Sequence, residues 1–343
     1  MVLNRISHTA IVILGFFIML TSSGFSQDLH YSQFYNSQMN VNPANTGLFN
    51  GDHRFVASLR DQWRFVPVPW TTFSGAYDSR MELTKDGKNL VGYGAVFNYD
   101  QQGDSKLNLS SLNLNVALHH LLSSRHVISG GIVLGFNSRG FNSQTLTWDK
   151  QWTGDVFNGN LPSGESFSNF ERTNFLETGA GINYRYQKSS RTYVDAGAAL
   201  LHLIKPKPSF YASEDIKLPR RFTLNGVGNV QLIDKLDVQV NALYQLQGQY
   251  NELVLSGLGK IYLSEKRGKE FQLHLGLGYR TAGSLFPIIA VQVNEIYASF
   301  SYDADNTLFN KTLGINRGGP EIHIRYTITN VKPLNTVKVC PIY

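Results

Sequence analysis

Residues 236–247 read LDVQVNALYQLQ, and this stretch decides the fold class. Leu236, Val238, Val240, Ala242, Tyr244 and Leu246 share one face of an extended chain, while Asp237, Gln239, Asn241, Gln245 and Gln247 share the other. A repeat of two is the side-chain period of a β-strand. The next stretch sets Leu253, Leu255, Gly257, Gly259, Ile261 and Leu263 against Glu252, Ser256 and Lys260. Phe271, Leu273, Leu275, Leu277 and Tyr279 then oppose Gln272, His274 and Arg280. Ile296, Ala298, Phe300 and Tyr302 oppose Ser299, Ser301 and Asp303, and Ile322, Ile324, Tyr326 and Ile328 oppose Glu321, His323, Arg325 and Thr327.

A soluble sandwich also alternates, so strand length and the chemistry of the second face decide between the two. These segments run to roughly 10–15 residues, against about 5–6 for ordinary soluble strands, and are long enough for a tilted membrane crossing. Their second faces carry Asn, Gln, Arg, His and Glu, which suit a wet interior. In lipid every backbone N–H and C=O needs a partner, and strands supply one everywhere only in a closed sheet. The pattern therefore predicts an all-β transmembrane antiparallel β-barrel of the outer-membrane type.

Counting outward from residue 236 gives about fourteen strands, at 53–63, 71–81, 90–100, 106–122, 126–141, 173–187, 191–204, 219–233, 235–248, 250–263, 270–282, 285–293, 295–303 and 319–329. Leu107 and Leu109 differ in parity from Leu112, Leu114, Val116 and Leu118, which predicts a bulge at Ser110 and Ser111. With the first strand starting in the periplasm, the long connections 142–172, 205–218 and 304–318 face outward, and short ones such as Ser123–Arg125, Ile233–Lys235 and Val293–Glu295 face inward. That asymmetry is the one outer-membrane barrels show. Trp63, Trp70, Trp148 and Trp152 all fall at or in the outward connections, where they suit an interfacial girdle or a partner-binding surface.

The two ends complete the organisation. Arg5 and His8 precede an apolar run from Ala10 to Leu20 and a Thr21–Ser26 segment of mostly small residues, which predicts a signal peptide over 1–26. Residues 27–52 then form an N-terminal periplasmic or lumenal segment, 53–329 the barrel and 330–343 a periplasmic tail. The single cysteine, Cys340, excludes an internal disulfide and a Cys-based zinc site. The net charge of +6 is scattered rather than patched, so nucleic-acid binding is not expected.

Little in the chain points to chemistry. His119 and His120 are adjacent in a strand, point to opposite faces and cannot share a metal. His274 and His323 read as lumen-lining residues, and Asp303, Asp305 and Asn306 as a solvated turn rather than a calcium loop. The glycine pairs 179/181, 257/259 and 276/278 lie within strands, so they read as packing relief rather than as a phosphate loop. There is no serine elbow and no HExxH, and the sequence leads to no enzyme, cofactor or metal.

Several segments carry a family likeness. Residues 27–50 read QDLHYSQFYNSQMNVNPANTGLFN, residues 54–81 contain RDQW followed by PWTTFSG, residues 301–305 read SYDAD, and the chain closes with VCPIY. Taken in order, these resemble the PorP/SprF family of type IX secretion system membrane proteins, over essentially the whole mature chain. The best-matching positions are Asn42, Pro43, Gly47, Gln62, Trp63, Pro69, Thr71, Thr72, Cys340 and Pro341. The resemblance implies an outer-membrane barrel serving protein export or gliding motility, with a secreted adhesin's C-terminal sorting domain as partner and periplasmic ring components of the machine as further contacts. The competing reading is a diffusion pore or small-molecule transporter, which requires a lumen free of plugging segments.

Overall fold

The computed structural model describes residues 28–62, 69–103, 105–143, 146–165, 170–210, 216–266, 268–281, 283–305 and 318–329. The predicted signal peptide, Trp63, Asn306, Cys340 and Pro341 lie outside the described residues. Fourteen strands follow in chain order: β1 (His53–Gln62), β2 (Trp70–Glu82), β3 (Asn89–Gln102), β4 (Leu107–Ser123), β5 (His126–Asn142), β6 (Phe170–Gln187), β7 (Tyr193–Leu201), β8 (Arg221–Ile233), β9 (Leu236–Gln247), β10 (Tyr250–Ser264), β11 (Phe271–Arg280), β12 (Ser284–Val293), β13 (Ile296–Asp305) and β14 (Gly318–Ile328).

Each strand pairs antiparallel with its sequence neighbours, and β1 closes the cylinder on β14 from His53↔Ile328 to Arg60↔Glu321. Closure leaves no free edge, the condition for strands to cross hydrocarbon. A 10-residue strand at a tilt of about 40° covers about 25 Å, the height of an outer-membrane apolar band. No helix among the described residues is long and apolar enough to cross a membrane. On β4, Leu114, Val116 and Leu118 are exposed on the outside while Asn115, Ala117 and His119 are buried within. The short turns between β4 and β5, β8 and β9, and β12 and β13 lie at the end where β1 begins and β14 ends, which makes that end the periplasmic one.

Three sequence expectations are corrected. The β3–β4 register runs Asn98↔Ser111, Tyr99↔Ser110 and Asp100↔Leu109 without a shift, so there is no bulge at the serine pair. Leu107 and Leu109 keep inward parity and line a cavity of about 40 Å³ at the outer mouth, beside another of about 60 Å³. Their apolar character reflects an apolar interior at that level, not a change of register. Strand β7 stops at Leu201, three residues short of the expected end, because His202 turns into the left-handed region at φ 56°. Asp303 is not in a solvated turn: β13 extends through it with inward parity and it is buried.

The lumen is filled. Residues 28–52 run through it, and Phe34, Tyr35 and Val41 pack with Val227, Leu243, Val254, Leu258, Phe286 and Ile288 of the wall into an apolar core inside the cylinder. Wall glycines make room for this segment. A Cβ on Gly131 would sit 2.5 Å from the backbone of Pro43 and Ala44, and one on Gly181 would sit 2.1 Å from Asn42 Oδ1. Steric pressure from Gly131→Val should therefore displace the segment while leaving the strands paired. In planar bilayers the native chain should show no steady ion conductance and the variant should conduct; a variant as silent as the native chain would mean that this contact does not hold the segment in place.

Candidate functional site, the plugged lumen and its two mouths

The plug is a string of short turns, because Asn, Ser, Gly and Pro leave it no periodic face. Asn42 caps the 3-10 turn Pro43–Asn45, its side chain accepting from Ala44 N at 2.9 Å, with proline at the first position where a missing N–H costs nothing. The Asn42 amide also donates to Ile182 O at 2.9 Å and Asn225 Oδ1 at 3.1 Å on β6 and β8. Gly47 takes φ 75°, and its N–H donates to Asp78 Oδ2 at 2.8 Å. The same carboxylate is gripped by Arg54 through Nε and Nη2 at 2.8 and 2.7 Å, a fork that fixes its orientation. His119 Nε2 lies 2.8 Å from Thr46 O; a carbonyl only accepts, so Nε2 carries the proton and Nδ1 accepts from Ser129 Oγ.

Nearer the outer end, the Glu321 carboxylate accepts the backbone N–H groups of Ser32 and Gln33 at 2.8 and 2.7 Å and is also met by His323 Nε2 at 2.7 Å. Ser32 Oγ donates to Asp303 and accepts from Arg280, and Arg60 spans from Asp303 to His30 O at 2.6 Å. Groups this deeply buried are tolerated only when paired, and removing one partner costs roughly 3–5 kcal/mol.

At the outer mouth Asp28 meets His202 Nε2 at 3.0 Å and Arg221 Nη1 at 2.8 Å, while His202 Nδ1 faces Glu177 Oε2 at 2.5 Å. Burial opposes the charge on Asp28, but Arg221 and His202 hold its carboxyl well below the usual carboxylate range. Burial also disfavours the His202 imidazolium; its bonds to Asp28 and Glu177 outweigh this and raise its pKa to about 9. His30, buried beside Arg60, is lowered to about 4 and is neutral.

The positions singled out in the sequence do not converge. Asn42, Pro43 and Gly47 belong to the plug, whereas Gln62, Pro69, Trp70, Thr71 and Thr72 lie around the β1–β2 connection at the outer rim. Trp70 Nε1 and Thr72 Oγ1 both donate to Asp100 Oδ1, at 2.7 and 2.6 Å. Trp148 and Trp152 sit in the β5–β6 connection, where Trp152 bridges to Phe157 and is 56 % exposed. Sequence reading missed the plug's anchors: Asp78, Asp303, Glu321, Arg54, Arg60, Glu177 and His202. The available signal was an ionisable residue at inward parity in a membrane strand, which by default has a partner.

The charged outer contact has a defined pH window. His202 keeps its proton in the fold up to about pH 9, whereas an unperturbed imidazole loses it near 6.5, so its contribution is complete below 6.5 and lost as pH rises through 9. Asp28, being depressed, contributes above the ordinary carboxylate range and loses its contribution only in strong acid. A spin label at position 29, in a Cys340→Ser background, should therefore gain mobility between about pH 8 and 10, a transition absent in His202→Gln. Identical pH profiles for the two proteins would remove His202 from the contact.

Comparisons place this architecture among known proteins. A solved barrel described as a FadL homologue of Pseudomonas aeruginosa shares 10% identity, over 83% of this chain and 91% of that one, with a TM-score of 0.50. The toluene transporter TodX of Pseudomonas putida shares 10% identity over 88% and 94%, with a TM-score of 0.47. Likeness at this level of identity concerns the fold alone. Comparison with curated proteins gave no match. The family model for the type IX secretion system membrane protein PorP/SprF matches residues 23–326, so this outer-membrane barrel belongs to the PorP/SprF family.

Proposed function

We propose that the barrel retains a secreted adhesin at the cell surface by binding the adhesin's C-terminal sorting domain on its outward face. One observation carries this reading: the lumen is occupied from Asp28 to Asp52 by the chain's own segment, so the surfaces left for a partner are the two mouths and the loops. On the outward side the β5–β6 connection presents Trp152, Val156 and Phe157, exposed by 56, 62 and 48%. Thr153 N donates to Val156 O at 3.0 Å, a tight turn that holds the three apolar side chains close together in the chain. Aromatic residues on an outward loop are the type that dominates protein contacts, at roughly 2 kcal/mol or more each. Trp148 precedes the same turn, whereas the Trp70 indole is committed to Asp100. Periplasmic ring components of the secretion machine are the further partners this reading includes, at the opposite mouth.

The diffusion-pore reading requires the plug to leave, and the pairing of Asp28 with Arg221 and His202 and the plug N–H groups held by Asp78 and Glu321 oppose that. The test is surface retention in cells that carry both the barrel and its adhesin. Trp152→Ser with Phe157→Ser should reduce surface-bound adhesin at least tenfold and shift it to the medium, with the barrel still heat-modifiable on electrophoresis. Undiminished retention would overturn the assignment of this loop, and retention that survives deletion of the whole barrel would overturn the function.

A further inference from the structure

Most arginines of the lumen are matched by a carboxylate, and a few inward cations are not. Among the described residues, Arg54, Arg60, Arg185, Arg191, Arg221 and Arg280 each meet a carboxylate within 3.3 Å. Arg80, Arg139, Lys260 and Arg325 also have inward parity and are half-buried but meet none; Arg80 donates to Phe49 O of the plug at 2.7 Å and Arg139 lines the outer-mouth cavity, which leaves Lys260 on β10 and Arg325 on β14 as the two towards the periplasmic end without a partner from the plug. The nearest candidate for Lys260 is Asp237, directly opposite on β9, but that carboxylate is already taken by Arg191 at 2.7 Å, the Tyr262 hydroxyl at 2.7 Å and the Asn229 amide at 3.2 Å. Arg325 instead lies over the ring of Tyr297, 4.4 Å from its centroid.

These two cations belong to one surface. His274 is the cross-strand neighbour of Lys260, its ring lies 5.5 Å from that of Tyr297, and Tyr297 is the cross-strand neighbour of Arg325. The Lys260 ammonium and the Arg325 guanidinium lie within electrostatic reach of each other. Lys260 is four residues from the end of β10 and Arg325 three from the end of β14, which puts both within about 10 Å of the periplasmic rim at the rise of a tilted strand. Two residues further outward on the face of Lys260, Leu258 belongs to the apolar core that packs on Phe34 and Tyr35 of the plug. These side chains therefore face the periplasmic end of the lumen, the vestibule below the plug's apolar core, with Lys260 and Arg325 half-buried there and His274 and Tyr297 buried.

A half-buried cation without a counter-charge is costly, and a second one within electrostatic reach adds to that cost. The plug turns a backbone group or a carboxylate towards Arg60, Arg80 and Arg221, yet offers none to Lys260 or Arg325. From this we infer that the periplasmic vestibule formed by Lys260, Arg325, His274 and Tyr297 binds an acidic peptide segment of a periplasmic protein. Paired carboxylates on an extended chain supply the missing charge, and the half-buried amides of Gln272 and Gln292 beside the cations suit a peptide backbone better than a bare ion. This site is at the opposite mouth from the loop assigned to the adhesin, so the two stand or fall separately.

The experiment uses the purified full-length barrel in detergent and fluorescein-labelled hexaglutamate, read by fluorescence anisotropy, with hexaglutamine as the neutral probe. Hexaglutamate should bind, hexaglutamine should not, and affinity should fall steeply as salt is raised. Lys260→Gln with Arg325→Gln should weaken binding at least tenfold, whereas Arg139→Gln with Lys205→Gln, which removes the same charge at the outer mouth, should leave it unchanged. The first double variant should also melt no lower than the native barrel, since it relieves repulsion, so loss of binding is not loss of fold. Equal affinity in both double variants would overturn the proposal. So would inorganic phosphate competing as well as the peptide does, which would make the vestibule a small-anion site, or binding that develops only after residues 330–343 are removed, which would make the chain's own tail the occupant.

Discussion

A sheet immersed in hydrocarbon has no water to satisfy its N–H and C=O groups, so it must close, and closure at fourteen strands encloses more space than its own side chains can fill. This chain meets that geometric demand with residues 28–52. The plug adds no second domain: it is a polar, turn-rich stretch of sequence whose backbone closes its own short turns while its side chains bond largely to the wall. Closure and plugging are joined at one place, where Asp52 N donates to Ile328 O at 2.8 Å, so the plug leaves the lumen at the β1–β14 seam that completes the cylinder.

Because the lumen is polar, the plug is held by charge and backbone contacts more than by apolar burial. Asp78, Asp303 and Glu321 each stand on a strand and each engages the plug, directly at Gly47, Ser32 and Gln33. All three also hold, or lie beside, an arginine or histidine of the wall. Such groups do little for stability compared with an apolar replacement, but breaking one leaves its partner buried and alone, which makes them discriminating. A displaced plug would take Asp28 from Arg221 and His202 and remove the N–H and hydroxyl groups that Asp78, Asp303 and Glu321 accept, so this is a poor arrangement for a frequently opened channel and a sound one for a sealed scaffold. The apolar core around Phe34, Tyr35 and Phe286 completes the seal.

What could be read from the sequence follows from how local each signal is. The strands were legible because period 2 is expressed within ten residues: β9 and β14 each reveal their lipid face without reference to any other element. Parity failed where an apolar residue faces inward. Leu107 and Leu109 suggested a bulge, and Leu243, which sits on the polar face of β9, gave no hint of its place in the lumenal core. Asp303 was misread for the converse reason, since a carboxylate near a strand end looks solvated until the arginine opposite it, 243 residues away in Arg60, is brought into contact. The plug was the least legible part, because Asp28 owes its position to His202 and Arg221, and no window of sequence contains all three.

The same distinction explains which of the family-matching positions are informative. Asn42 has a role that can be derived: its short amide caps a turn where Gly181 and Gly197 leave space for it, while donating to two strands. Glutamine there would have to displace the backbone it now caps, and aspartate would lose the donor that reaches Ile182 and Asn225. Asn42 thus couples the local geometry of the Pro43–Asn45 turn to the spacing of β6 and β8. Trp152 shows the opposite relation: nothing in the fold requires a large exposed indole on a loop, and the barrel would close as well without it. A residue the fold explains completely says little about partners, and one that the fold leaves unexplained says more. By that measure the outward loop and the unpaired cations of the periplasmic vestibule carry more functional information than the plug that separates them.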